Sequence, residues 1–255
     1  MNAENSTGVS SRSAGRWLVV IGVLLALASA VAMILPGIGY RLDLWHFRTG
    51  FTIMRWAFWF GAAGAVLSLL GLIVTGARPP KLLAAALIGI VVGAVTVYIP
   101  WSYKKTVDSL PYIHDITTDV QNPPAFAVVK TLRKEGEHPV EYDGPEVAAQ
   151  QQKAYPDLIP LTVTADKDKV FKAAEAALRS MKLEVVDANA GEGRIEATDT
   201  SLLFGFKDDM VVRIVTEGAG TKIDVRSKSR VGRSDVGQNA KRIRDFLQRL
   251  TANLG

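Results

Sequence analysis

Three long runs without a charged side chain lie within the first 103 residues, and they restrict the possible folds of this chain more than any other feature. They are residues 17–35 (WLVVIGVLLALASAVAMIL), 56–75 (WAFWFGAAGAVLSLLGLIVT) and 82–100 (LLAAALIGIVVGAVTVYIP), of 19, 20 and 19 residues. A bilayer core about 30 Å thick takes roughly 20 apolar residues of helix to cross, so each run is long enough. A soluble core helix of this length carries a polar stripe, and none of the three does. Residues 1–103 therefore read as a membrane anchor of three transmembrane helices.

All five Trp fall in or beside these runs, with Tyr98 and Tyr103 next to Trp101 at the end of the third. Such rings favour the headgroup zone and mark helix ends. Gly89 and Gly93 form a GxxxG, and Ala57, Gly61 and Ala65 a ridge of small residues, both suited to close helix packing within the chain. The first run has the parts of a signal peptide: Arg12 and Arg16, an apolar stretch and Ala28-Ser29-Ala30. Because it continues apolar through Leu35 and more spans follow, it reads as an uncleaved anchor. Residues 36–55 (PGIGYRLDLWHFRTGFTIMR) are expected to place a short interfacial helix between the first two spans. With the N-terminus inside, Arg12, Arg16, Arg78, Lys81 and the amino terminus face the cytoplasm. Arg41, Arg48, Arg55, Lys104 and Lys105 face the other side, so the positive-inside rule favours this orientation only slightly. Three spans then put the C-terminal part outside.

Charge follows the same division. Residues 1–103 hold 7 Lys+Arg and 2 Asp+Glu, whereas 104–255 hold 23 of each. The net +5 thus belongs to the apolar part, which argues against a nucleic-acid partner, whose basic footprint would lie on the folded domain. With no Cys, thiolate metal sites and thiol nucleophiles are excluded. No acidic or basic residue lies inside a span, so a transporter lacks its usual markers.

Residues 104–160 contain 7 of the 11 Pro and are expected to be mostly extended, wrapped over a neighbouring domain, with a short helix at 145–155. From 161 to 255 the periodicity predicts a strand at 159–164, a helix at 165–181 capped by Thr164, and strands at 183–187, 194–200, 210–217 and 221–231. A last helix follows at 235–251, with the stripe Val236, Ala240, Ile243, Leu247 and Leu250. In 221–231, Lys222, Asp224, Arg226, Lys228 and Arg230 share one face. Ile223, Val225, Ser227, Ser229 and Val231 share the other. The fold class is a three-span anchor followed by an α+β domain, an antiparallel sheet packed by two helices in a helix-grip-like arrangement.

The densest cluster of functional side chains is 226–244 (RSKSRVGRSDVGQNAKRIR), preceded by Asp208-Asp209. Two readings stay open. In one, Arg226 and Arg230 clamp Asp208 and Asp209, Ser234 or Asp235 caps the last helix, and Asn239 tethers the turn. In the other, Arg226, Arg230 and Arg233, with Ser234, Asp235 and Asn239, converge at the helix N-terminus as an anion site. Adjacent strand residues face opposite ways, so Asp208 and Asp209 make a poor metal site. The only His are His46, His114 and His138, and His114 beside Asp115 is the one candidate base. Residues 222–249 carry 9 Lys+Arg against 3 Asp+Glu, a charge suited to anionic headgroups.

These residues carry a resemblance. Arg226-Ser227, Ser229-Arg230, Gly232, Ser234-Asp235, Gly237, Asn239 and Arg242-Ile243 resemble a bacterial and plastid family catalogued as domain of unknown function 1499. Asp208-Asp209, residues 113–126 (IHDITTDVQNPPAF) and Tyr155-Pro156-Asp157 fit as well, and the similarity covers about 111–250. It implies membrane spans ahead of the domain but no particular activity. The expected function is a non-enzymatic binding or assembly module in the bacterial inner (plasma) membrane, its domain periplasmic. Its expected partners are the bilayer and an anionic lipid or envelope protein, with no cofactor or metal. The alternative is an envelope hydrolase or transferase around His114 and Asp208-Asp209.

Overall fold

A computed structural model describes residues 3–255, with side chains from Arg12 onward. The chain divides into two compact units, Met1–Thr106 and Val107–Gly255. The amino terminus, counted above on one membrane face, lies outside the described residues.

Helices α1 (Ala3–Arg41), α2 (Phe47–Thr75) and α3 (Pro80–Ser109) form the first unit, and the third runs on into the second unit. Their stretches Arg12–Arg41, Phe47–Thr75 and Pro80–Ser109 are long and apolar enough to cross a membrane. The helices run alternately up and down, and small residues set the contacts. A Cβ added at Gly64 would stand 2.7 Å from both Ala26 N and Gly22 O, so α1 and α2 touch backbone to backbone. Gly61 meets both neighbours: a Cβ there would stand 3.0 Å from Thr96 of α3 and 3.1 Å from Ser29 of α1, and Gly93 lies against the Gly61 carbonyl and Ala65. The GxxxG and the ridge at Ala57, Gly61 and Ala65 thus pack within the chain.

Residues 36–55 depart from expectation. Helix α1 continues through Pro36 to Arg41 and α2 begins at Phe47, which leaves a connection of 42–46 and no separate interfacial helix. Pro36 removes one helix hydrogen bond. Next to it, Trp45 Nε1 donates to the Pro36 carbonyl at 3.1 Å while its ring covers Gly39. His46 caps α2, its side chain accepting from Arg48 N at 3.3 Å.

The second unit is built on a six-stranded antiparallel sheet. Its strands are β1 (Asp115–Thr117), β2 (Leu161–Val163), β3 (Glu184–Asn189), β4 (Arg194–Thr200), β5 (Lys207–Glu217) and β6 (Gly220–Ser229). The order is β1-β6-β5-β4-β3, with β2 pairing the first half of β6 beside β1. Helices α5 (Lys167–Ser180) and α6 (Gln238–Leu254) cover one face. Val170, Ala174, Ala177 and Leu178 of α5 and Ala240, Ile243, Phe246 and Leu250 of α6 are fully buried there. They meet Ile195, Ala197, Met210, Val212, Ile214, Ile223 and Val225, one alternating set from each of β4, β5 and β6.

Three local details differ from the sequence reading. Helix α5 is capped by Asp166, which accepts from Asp168 N at 2.8 Å, and not by Thr164. The carboxylate two residues nearer the first full turn is the stronger acceptor. Val236 precedes α6 at φ 54° and leaves its stripe, and Phe246 takes the buried place. Strand β1 was not anticipated, because three residues in a Pro-rich stretch carry no periodic signal.

Candidate functional site

The other face of the sheet is covered by residues 113–143, which fold as loop, β1 and a single 3-10 turn (Val129–Leu132), followed by α4 (Pro145–Ala154). Its contacts are unusual in kind. Only a small apolar group, Phe126, Val129 and Val211, is buried there, and most of the contact is charged. β6 and the residue after it present Arg226, Lys228 and Arg230 to this layer at two-residue intervals, the face expected from alternation, yet they are only 2%, 0% and 4% exposed.

Each finds an anion within the chain. Arg226 donates from Nε and Nη2 to the two carboxylate oxygens of Asp115, both at 2.8 Å, and to the carbonyls of Pro124 and Val140. Its guanidinium lies 5.0 Å from the Phe126 ring centre and 5.4 Å from that of Tyr142. Lys228 donates to Asp143 Oδ1 and to the Glu141 carbonyl, each at 2.6 Å, and stands 3.3 Å from Asp115. Arg230 grips Asp209 through Nε and Nη2 and donates to the Leu132 carbonyl. Arg133 reaches the same Asp209 at 2.9 Å.

Arg230 holds Asp209, but Arg226 holds Asp115, and Asp208 turns to the helix face, where Arg242 meets it at 2.8 Å. The strand pleat separates the two neighbouring aspartates. On that helix face Asn239, fully buried, uses its whole hydrogen-bonding capacity. Its Nδ2 donates to the His114 carbonyl and Ser229 Oγ, and its Oδ1 accepts from Ser227 Oγ and Arg242. Asp235 accepts from Gly237 N at 3.0 Å and Asn239 N at 2.7 Å, so it satisfies the free amides at the start of α6, while Ser234 Oγ accepts from Val236 N. Burial pushes the Asp235 carboxyl above its usual range against the pull of those two amides.

Arg233 alone of the three candidate arginines is exposed. It lies over the Tyr112 ring at 5.3 Å, on the turn where Asp235 N donates to the Ile113 carbonyl.

The structure does not bring His114 together with Asp208 and Asp209 as one site. His114 stacks on His138 at 4.0 Å between ring centres, and its Nε2 lies 3.3 Å from Asp143 Oδ2 without hydrogen-bond alignment. Asp115, its expected orienter, is taken by Arg226. Burial holds the His114 imidazole below its ordinary value, helped by His138 and opposed by Asp143. Among the described residues no group of three or more His, Asp or Glu is placed to hold a metal.

Several members of this network carry no sequence signal of their own. Glu196, fully buried, accepts from the amides of Ala127, Val128 and Val129, so it holds the 3-10 turn. Gln151 of α4 satisfies the outer edge of β1, accepting from Thr117 N and donating to Thr117 O. Asp143, Arg133 and Asp199 complete it. Each partner lies tens of residues away, so no local pattern reveals it.

Fold and site define a class: a helical anchor of membrane-crossing length joined to an α+β domain whose signature polar residues are turned inward as struts. The family model described as "Protein of unknown function (DUF1499)" matches residues 115–250, more than half of the chain, and the chain belongs to that family. No curated protein matches it. Among solved structures, the crystal structure of TTHA0849 from Thermus thermophilus is similar over 37% of this chain and 93% of its own, at 13% identity and a TM-score of 0.24.

Proposed function

We propose that this chain is a non-enzymatic binding or assembly module of the bacterial envelope, held in the inner membrane with its C-terminal domain on the periplasmic side. It recognises an anionic ligand, a lipid headgroup or an acidic protein partner through the turn at Arg233. The observation that carries this reading is the division of labour among the arginines. Arg226 and Arg230 are spent on Asp115 and Asp209, whereas Arg233 stays exposed and pre-placed over Tyr112. Leu110, Pro111 and Tyr112 are all that separates the end of α3 from Ile113, the first buried residue of the domain core. The turn that carries Arg233 is bonded to that same Ile113. An exposed guanidinium suits an anion, and beside an anionic bilayer each basic residue adds about 1 kcal/mol.

Titrating the full chain in detergent with glycerol 3-phosphate, read by side-chain NMR of the arginine Nε groups, tests this. The Arg233 signal should shift while Arg226 and Arg230 stay still. A silent Arg233 would remove the anion from the reading, and a response at Arg226 would show that the buried pairs open to ligand.

A further inference from the structure

A second basic cluster lies in the anchor. Because α1 and α2 run antiparallel, the start of the first span meets the end of the second, with Gly15 against Val74 and Thr75. Arg12 and Arg16 of α1 and Arg78 of the α2–α3 turn line one concave site there with Thr75, Ala77 and Pro79. All three arginines are exposed, and among the described residues none has a carboxylate or carbonyl partner. Arg12 and Arg16 are four apart on one helix, where like charges repel. Adding a third cation from another segment raises that cost unless an anion sits between them.

We infer that Arg12, Arg16 and Arg78 bind the phosphate of an anionic membrane lipid. Three properties of the site select this ligand. Guanidinium groups present paired N–H donors that match phosphate oxygens. Position fits as well: Arg16 directly precedes the apolar run that opens with Trp17, 64% exposed, and Arg78 follows the last turn of α2, which is the headgroup level. The site also continues into apolar surface. Ile73 and Val74, 67% and 44% exposed, lie on the final turn of α2 beside it, and acyl chains can lie along them. A free phosphate would use the arginines and leave that surface unused. This site is separate from Arg233, so either can fail without the other.

Native mass spectrometry of the full chain, released from detergent with dioleoyl-phosphatidylglycerol or dioleoyl-phosphatidylcholine, tests it. The wild type should retain the glycerol lipid and not the choline lipid. The R12Q/R16Q/R78Q variant should lose at least about tenfold of that retention, and K105Q should lose none. Equal retention of both lipids, or full retention by the triple variant, would overturn the assignment. So would release of the lipid by millimolar inorganic phosphate, which would make this a free-phosphate site. If the triple variant does not fold, photo-crosslinking of wild type with a headgroup-labelled phosphatidylglycerol decides. Adducts should map to residues 12–17 or 74–80, and adducts elsewhere alone would contradict the site.

Discussion

Arg226 and Asp115 are joined by two parallel hydrogen bonds of 2.8 Å across 111 positions of sequence, with both side chains withdrawn from water. This pair ties the segment 113–143 to the outer face of the sheet, and its energetics follow from burial. Removing one member of a buried pair costs about 3–5 kcal/mol, because the other is left charged and unpaired, whereas replacing both by apolar residues costs far less. Arg226→Met and Asp115→Leu should each destabilise the domain by that amount, and the double variant by less than either. Pulse proteolysis of the full chain in urea measures this, since all five Trp lie in the other unit and fluorescence would miss it. Additive losses in the double variant would show that the pair is not coupled.

His114 makes the domain sensitive to acid. Its folded value lies below 6.5, so the unfolded chain binds more protons on this residue as pH falls. The stability it contributes is complete above the unfolded value and is lost as pH drops through about 6.5. Asp143 and Asp115 partly offset this, while His138 and Lys228 reinforce it. Between about pH 7.5 and about pH 5.5, wild type should therefore lose more stability than His114→Gln in the same proteolysis assay. Taking the difference cancels Asp235, whose raised value acts with the opposite sign. Parallel pH profiles would refute the effect.

In the anchor, Gly64 allows the backbones of α1 and α2 to touch. Gly64→Val forces them apart and should cost about 1–3 kcal/mol, whereas Ile73→Ala, at a site 67% exposed, should cost little beside it. Thermal unfolding in detergent followed by Trp fluorescence reports on this unit specifically. An unchanged midpoint for Gly64→Val would contradict the packing.

Sidedness is open to direct test because the chain has no Cys. Ser180 is exposed at the end of α5. With the outer membrane opened, Ser180→Cys should react with an impermeant maleimide in intact cells while a cytosolic control does not. Labelling only after lysis would place the domain in the cytoplasm and direct the ligand search to nucleotides.

Much of this architecture was legible from local pattern. The uncharged runs mark α1 to α3, and alternation in 221–231 already separates Arg226, Lys228 and Arg230 from Ser227 and Ser229. The apolar stripes of α5 and α6 were visible in the same way. What escaped was long-range. A strand shows that Arg226 has a face of its own but not that Asp115 waits there. The nearer aspartates, Asp208 and Asp209, drew the expectation because pairing cannot be read across more than a hundred residues. Pro36 is a different case: it leaves one carbonyl a turn earlier without its helix donor, yet α1 runs on to Arg41.

Hydrogen exchange of the full chain, resolved to peptides, distinguishes arginines that act as struts for residues 113–143 from an Arg233 that acts outward. Arg226→Ala should strip protection from the amides of 115–118 and 127–129 while the core amides of α5 and α6 keep theirs, and Arg233→Ala should leave both regions unchanged. If Arg226→Ala leaves 115–118 as protected as in wild type, the arginine is not a strut and the account fails.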